Sequence, residues 1–156
     1  MNNLRRFTTA TLASAIFSLA LAAGSLPYDE AADARADLNR ALQQASSEHK
    51  QVLVVFGANW CVDCRELAGK MNTGALAALV AQRYVVTKVD VARFNKNTDL
   101  ARQMGNPIRK GIPAVAVLQA DGTLLKATEG GELAEARGMG DAEVLAVFQG
   151  LPAPDR

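Results

Sequence analysis

Hydrophobic residues recur along this chain in distinct patterns, and each pattern predicts an element. Over residues 28–47, Leu38, Ala41, Leu42 and Ala45 share one side while charges occupy the other, the pattern of an amphipathic helix. Residues 51–56 contain an unbroken apolar run, Val52-Leu53-Val54-Val55-Phe56, rich in β-formers. Such a run predicts a strand buried on both faces. A helix is expected over 61–71, broken by Asn72-Thr73-Gly74, with a further helical piece over 75–82. Residues 84–89 (YVVTKV) predict a second strand. A short helix over 97–104 is stopped by Gly105-Asn106-Pro107. Two strands over 114–119 and 123–127 flank Asp121-Gly122, a hairpin signal. A final helix spans 141–149, with Asp141 in its first turn.

A strand–helix–strand unit from 52 to 89 implies a parallel pair with a right-handed crossover. The hairpin adds antiparallel strands. The fold class expected is therefore α/β, a mixed central β-sheet with helices on both faces. Glu129-Gly130-Gly131 and Gly138-Met139-Gly140 bracket a loop expected to be mobile. Residues 151–156 read as a disordered tail.

The start of the chain follows another rule. Arg5 and Arg6 precede an uncharged apolar and small-residue run from Phe7 to Ala23, and Ala20-Leu21-Ala22 has the small-x-small form of a cleavage site. Residues 1–22 read as a secretory signal peptide, with cleavage near Ala22. An uncleaved membrane anchor is the alternative, disfavoured by the short run and its Ala, Ser and Thr content. Residues 23–47 then form an N-terminal helical extension and 48–150 the main domain. The expected location is the periplasm.

Composition narrows the picture further. With 156 residues, 49% hydrophobic and 21% charged, the chain has an ordinary globular make-up. A formal charge of +1, falling to −1 once Arg5 and Arg6 are removed, gives no reason to expect nucleic acid as a partner. Cys61 and Cys64 are the only cysteines. Export places them in an oxidising compartment, where cysteines usually form structural staples. A staple across two residues closes almost no loop and removes little entropy from the unfolded chain. The pair therefore suits redox chemistry better than stability. A zinc site would need four ligands, and His49 is the only histidine, so no metal is expected.

Several pieces in order carry a resemblance: the apolar strand, then Trp60-Cys61-Val62-Asp63-Cys64, then Lys88-Val89-Asp90, then Gly111-Ile112-Pro113 before Ala114-Val115-Ala116-Val117-Leu118. Over about residues 48–150 the chain resembles the thioredoxin superfamily. Within it, the chain is similar to exported bacterial thioredoxin-like proteins, the C-terminal domain of the membrane reductant carrier DsbD among them. The resemblance implies a thioredoxin fold and a thiol–disulfide oxidoreductase with no cofactor beyond a redox-active Cys61–Cys64 disulfide. Cys61, at a helix N-terminus, would be the attacking thiolate, and Cys64 the buried resolving thiol. The resemblance also implies a cis bond before Pro113, with Ile112 offering its backbone to a substrate segment. Trp60 would form part of that docking surface, or else pack in the core.

Two departures affect the chemistry. Many thioredoxins carry a buried Asp where this chain has Val55, so the proton of Cys64 must pass through water, Lys88 or an acid such as Glu132. Between the cysteines stand Val62 and Asp63, with no cation. Asp63 should disfavour the Cys61 thiolate, partly offset by Arg65, and a less stabilised thiolate makes a less oxidising couple. The expectation is a monomeric disulfide reductase acting on protein substrates, supplied with electrons by a membrane thiol carrier. A dedicated cytochrome c maturation reductase and a thiol-dependent chaperone without turnover are the alternatives.

Overall fold

The computed structural model describes residues 26–154. The predicted signal segment lies outside the described residues.

The apolar run becomes β1 (Gln51–Gly57), buried at every position. It pairs in parallel with β2 (Tyr84–Asp90), from Gln51 opposite Tyr84 to Gly57 opposite Asp90. On its other side it pairs antiparallel with β3 (Ala114–Leu118), and β3 pairs antiparallel with β4 (Leu124–Ala127). The strand order is β2-β1-β3-β4. The connection predicted from the sequence, parallel pair first and hairpin afterwards, is the one observed.

Alternation along β1 divides the core between two faces. Val52, Val54 and Phe56 pack with Ala41 and Ala45 of α1 (Ala34–Glu48) and Leu100 of α4 (Thr98–Gln103). Leu53 and Val55 pack with Leu67 of α2 (Val62–Lys70), Val80 of α3 (Gly74–Arg83) and Phe148 of α5 (Asp141–Gln149). Each such side chain, fully buried, contributes ~1.5–3 kcal/mol of transfer free energy. Helices thus cover both faces, and the end of β1 is held rigidly where the cysteine turn begins.

Four stretches differ from the sequence reading. The helix expected over 28–47 begins only at Ala34, because Asp33 caps it by accepting from the amides of Arg35 and Ala36. Residues before it form a strap. The Tyr28 amide donates to Asn59 Oδ1 at 3.0 Å, and Asn59 Nδ2 donates to the Tyr28 carbonyl at 2.8 Å. A 3-10 turn, Pro107–Lys110, follows α4 where only a helix stop was expected. The glycine-bracketed loop over 129–140 is anchored, since Leu133 and Ala136 are fully buried in the second core. The tail does not begin at 151 either: Leu151 is buried and the Pro152 carbonyl accepts from the Tyr84 hydroxyl.

Candidate redox site

Where β1 ends, Gly57, Ala58 and Asn59 stay buried and Trp60 emerges, 48% exposed. Cys61 is the N-cap of α2, in extended conformation, and its Sγ accepts from the Cys64 amide at 3.1 Å. A backbone N–H aimed at sulfur at a helix N-terminus favours negative charge there. The two cysteines are joined as a disulfide. Cys61 keeps 7% of its surface in solvent and Cys64 none. A partner sulfur can thus approach Cys61 and not Cys64.

The Ile112–Pro113 peptide bond is cis. It brings the Ile112 carbonyl oxygen to 3.6 Å from Cys61 Sγ. The Ile112 and Pro113 side chains are buried, so this turn meets a visitor mainly through its backbone. Cys61, Cys64, Ile112 and Pro113 are therefore brought together, and Trp60 stands at the rim. Its indole Nε1 donates to the Ala92 carbonyl at 2.8 Å.

Residues 33–120 match the thioredoxin-like family. The chain belongs to the thioredoxin-like family. A solved disulphide isomerase from Xylella fastidiosa Temecula1 is 45% identical, with 81% of this chain and 97% of that one covered and a TM-score of 0.78. The C-terminal domain of Neisseria meningitidis DsbD in its reduced form is 24% identical over 74% of this chain and 94% of its own, with a TM-score of 0.53. The oxidised form of that domain is 29% identical over 64% and 84%, with a TM-score of 0.48. No curated protein matches the chain. Together the fold and the Cys61–Cys64 disulfide make this a thioredoxin-like disulfide oxidoreductase.

Other residues singled out in the sequence of this thioredoxin-like chain sit less directly at the sulfurs. Val55 is buried among apolar side chains of the second core. Lys88 stands opposite Val55 in the β1–β2 register, half-buried on the edge strand. Burial pushes its ammonium below the ordinary lysine value. The Glu132 carboxylate is occupied within its own loop, where it accepts from the amides of Glu129 and Gly130. Asp63 has a partner the sequence did not suggest. Its Oδ1 accepts from the Arg137 amide at 2.9 Å, tying the first turn of α2 to the 129–140 loop. The same loop leans on the proline turn, because a Cβ at Gly111 (φ 124°) would meet Ala134 Cβ at 3.2 Å.

Two further groups were not foreseen. Tyr28 fills the space above Gly57, its hydroxyl buried and without a hydrogen-bond partner. Burial, with the nearby Asp90 charge, drives its phenol well above the ordinary tyrosine range. The second group is the loop after β2. Asp90 Oδ1 accepts from the Ala92 amide at 3.1 Å, and the Asp90 carbonyl accepts from Asn97 Nδ2 at 2.8 Å.

Proposed function

We propose that this thioredoxin-like protein is an exported reductase of protein disulfides. The observation that carries the reading is the placement of Cys61: at the N-cap of α2, less buried than Cys64, and 3.6 Å from the backbone carbonyl that precedes cis-Pro113. In the reduced protein the Cys61 thiolate attacks one sulfur of a substrate disulfide. A Cys61–substrate disulfide forms, and the other substrate sulfur leaves as a thiolate and takes a proton. Cys64, deprotonated, then attacks Cys61 Sγ. That step restores the Cys61–Cys64 disulfide and frees the second substrate thiol. Two electrons pass to the substrate, and a dithiol donor, a membrane thiol carrier in this reading, returns them. Ile112 and Pro113 hold the substrate segment by its backbone, and Trp60 covers it.

The reductive direction is supported by the absence of a cation between the cysteines and by Asp63 in the first turn of α2. Lys88 supplies a half-buried cation on the strand beside β1, and with Asp63 it tunes proton transfer. The signal-like start argues for export, and none of the described helices is long and apolar enough to cross a membrane.

Redox titration against glutathione tests the direction. A potential below about −200 mV supports a reductant, and a value near about −120 mV sinks the reading. A Cys64→Ala protein, expressed with its signal, should trap substrates as mixed disulfides on Cys61. Partners confined to cytochrome c apoproteins would narrow the substrate class to that one. The 45% identity to a disulphide isomerase favours a second reading, disulfide shuffling. Recovery of activity by a scrambled multi-disulfide protein without added reductant would decide for it.

A further inference from the structure

Among the described residues, five large hydrophobic side chains are exposed, and three of them, Trp60, Val62 and Phe94, are Cys61's neighbours or pack on one. Phe94 is 44% exposed and meets the Trp60 ring edge-on, with centroids 6.4 Å apart. Its backbone is unusual for such a residue. Phe94 has φ 62° and Ala92 φ 47°, a region that bulky or β-carbon-bearing residues seldom occupy. Strain of that kind persists only where surrounding contacts hold it. Here they do: buried Asp90 takes the Ala92 amide, Asn97 takes the Asp90 carbonyl, and Trp60 takes the Ala92 carbonyl. The loop is thus held in a costly shape that delivers an aromatic ring to water, against the side chain of Trp60, the residue before Cys61, instead of to the core.

Charge adds the second observation. The Arg93 guanidinium lies 5.5 Å from the centroid of the Trp60 ring and has no carboxylate partner among the described residues. The other cation of the loop, Lys96, is already engaged by Asp90 at 3.5 Å. Arg93 therefore offers an uncompensated positive charge at the rim of the site. The acid of the dithiol turn, Asp63, is committed to the other loop through the Arg137 amide.

We propose that the 92–97 loop is a specificity element: Phe94 with Trp60 takes an apolar side chain next to the reacting cysteine of an extended protein segment, and Arg93 takes an acidic side chain beyond it. The proposal rests on the disulfide-exchange reading above, and it holds for either direction of electron flow. The edge-to-face aromatic pair offers an exposed apolar surface, for which an aromatic substrate residue is the best match. An exposed ion pair adds discrimination by sign more than affinity.

The reduced Cys64→Ala protein tests it, because its reaction stops after one exchange. Peptides with one cysteine joined to 5-thio-2-nitrobenzoate are offered. Cys61 attacks the peptide sulfur, a Cys61–peptide disulfide forms, and the coloured thiolate leaves. Peptides with Cys-Phe-Asp, Cys-Phe-Lys and Cys-Gly-Asp are compared. Each rate is divided by that protein's own rate with the neutral N-acetylcysteinamide adduct. The expected preference is about threefold for Asp over Lys and about fivefold for Phe over Gly. Arg93→Glu should invert the charge preference and Arg93→Lys should keep it. Phe94→Ala should erase the Phe preference alone. Equal normalised rates for the three peptides, or preferences that survive Arg93→Glu and Phe94→Ala, overturn the proposal. No colour release even from the N-acetylcysteinamide adduct overturns the exchange reading itself, and the specificity element with it.

Discussion

The Tyr28 side chain lies where a Cβ on Gly57 would have to be. A residue of the N-terminal strap thus completes the core beneath the loop that leads to Cys61. Two interactions hold it there, the ring against Gly57 and the backbone hydrogen bonds to Asn59. Tyr28→Ala empties a site that is 2% exposed and should cost about 3–5 kcal/mol. Gly57→Ala forces the ring aside and should cost about 1–3 kcal/mol. The double substitution should cost less than the two together, by about 0.5–3 kcal/mol, because the cavity receives the new methyl group. Strict additivity in denaturant unfolding would mean that the two residues do not share the space.

Tyr28 also predicts an alkaline signature. Its phenol is pushed above the usual value of about 10 by burial and by Asp90. Below that pH both folded and unfolded chains keep the proton, and the contribution is whole. Above it the unfolded chain ionises first, so folding stability falls as pH rises. Tyr28→Phe removes this dependence. It also removes a buried hydroxyl with no partner, so it should be neutral or slightly stabilising at pH 7. Unfolding followed from pH 7 to 12 should show the variant gaining on the wild type only above pH 10. Parallel curves would rule out a protected phenol.

Why these features escaped the sequence is a physical matter. β1 and the cysteine turn are legible because an unbroken apolar run and a Cys-x-x-Cys are local signals. The partner of Tyr28 is a missing side chain 29 positions away, and absence has no periodicity. Asp63 accepts from the backbone amide of Arg137, and any residue but proline would supply that donor. The glycines over 129–140 suggest mobility, yet single apolar positions, Leu133 and Ala136, suffice to anchor the loop. Ala92 and Phe94 adopt backbone angles against their own preferences, in a loop that the distant Trp60 indole ties down at the Ala92 carbonyl.

Val55→Asp should speed the resolving step at neutral pH. A carboxylate at this position would sit in the core beside α2 and add a proton acceptor to the apolar cluster that Val55 now occupies. Burying the acid among Leu53, Leu67 and Phe148 should lower stability by about 2–4 kcal/mol. Stopped-flow reduction of a small disulfide by the two reduced proteins measures the gain. An unchanged rate would show that proton transfer does not limit resolution.

Lys88→Met separates electrostatic cost from chemistry. Burial lowers the Lys88 pKa, so the charged form is disfavoured in the folded chain. At pH 7 the side chain is charged in both states, and the penalty is present. It fades as pH rises through the lowered value toward about 10.5. The group is half in solvent, so the gain on substitution should be small, on the order of 0.5 kcal/mol. Thermal melts at pH 7 and pH 11 should show a gain at the first and none at the second. A slower resolving step in the same variant would give Lys88 its tuning role; an unchanged one would leave it a stability cost alone.

Asp63→Asn divides the two tasks of Asp63. Asparagine retains an oxygen for the Arg137 amide, so protection of that amide from hydrogen exchange should persist. The negative charge near Cys61 is lost, so the thiolate becomes easier to form and the Cys61 pKa should fall. A more stable thiolate stabilises the reduced protein, and the couple becomes more oxidising, by about 30 mV for each 1.4 kcal/mol. Asp63→Ala should do the same to the potential and also release the Arg137 amide, loosening the loop that leans on Gly111. If both variants keep the wild-type potential, the charge of Asp63 does not reach the dithiol, and its work is confined to holding the loop.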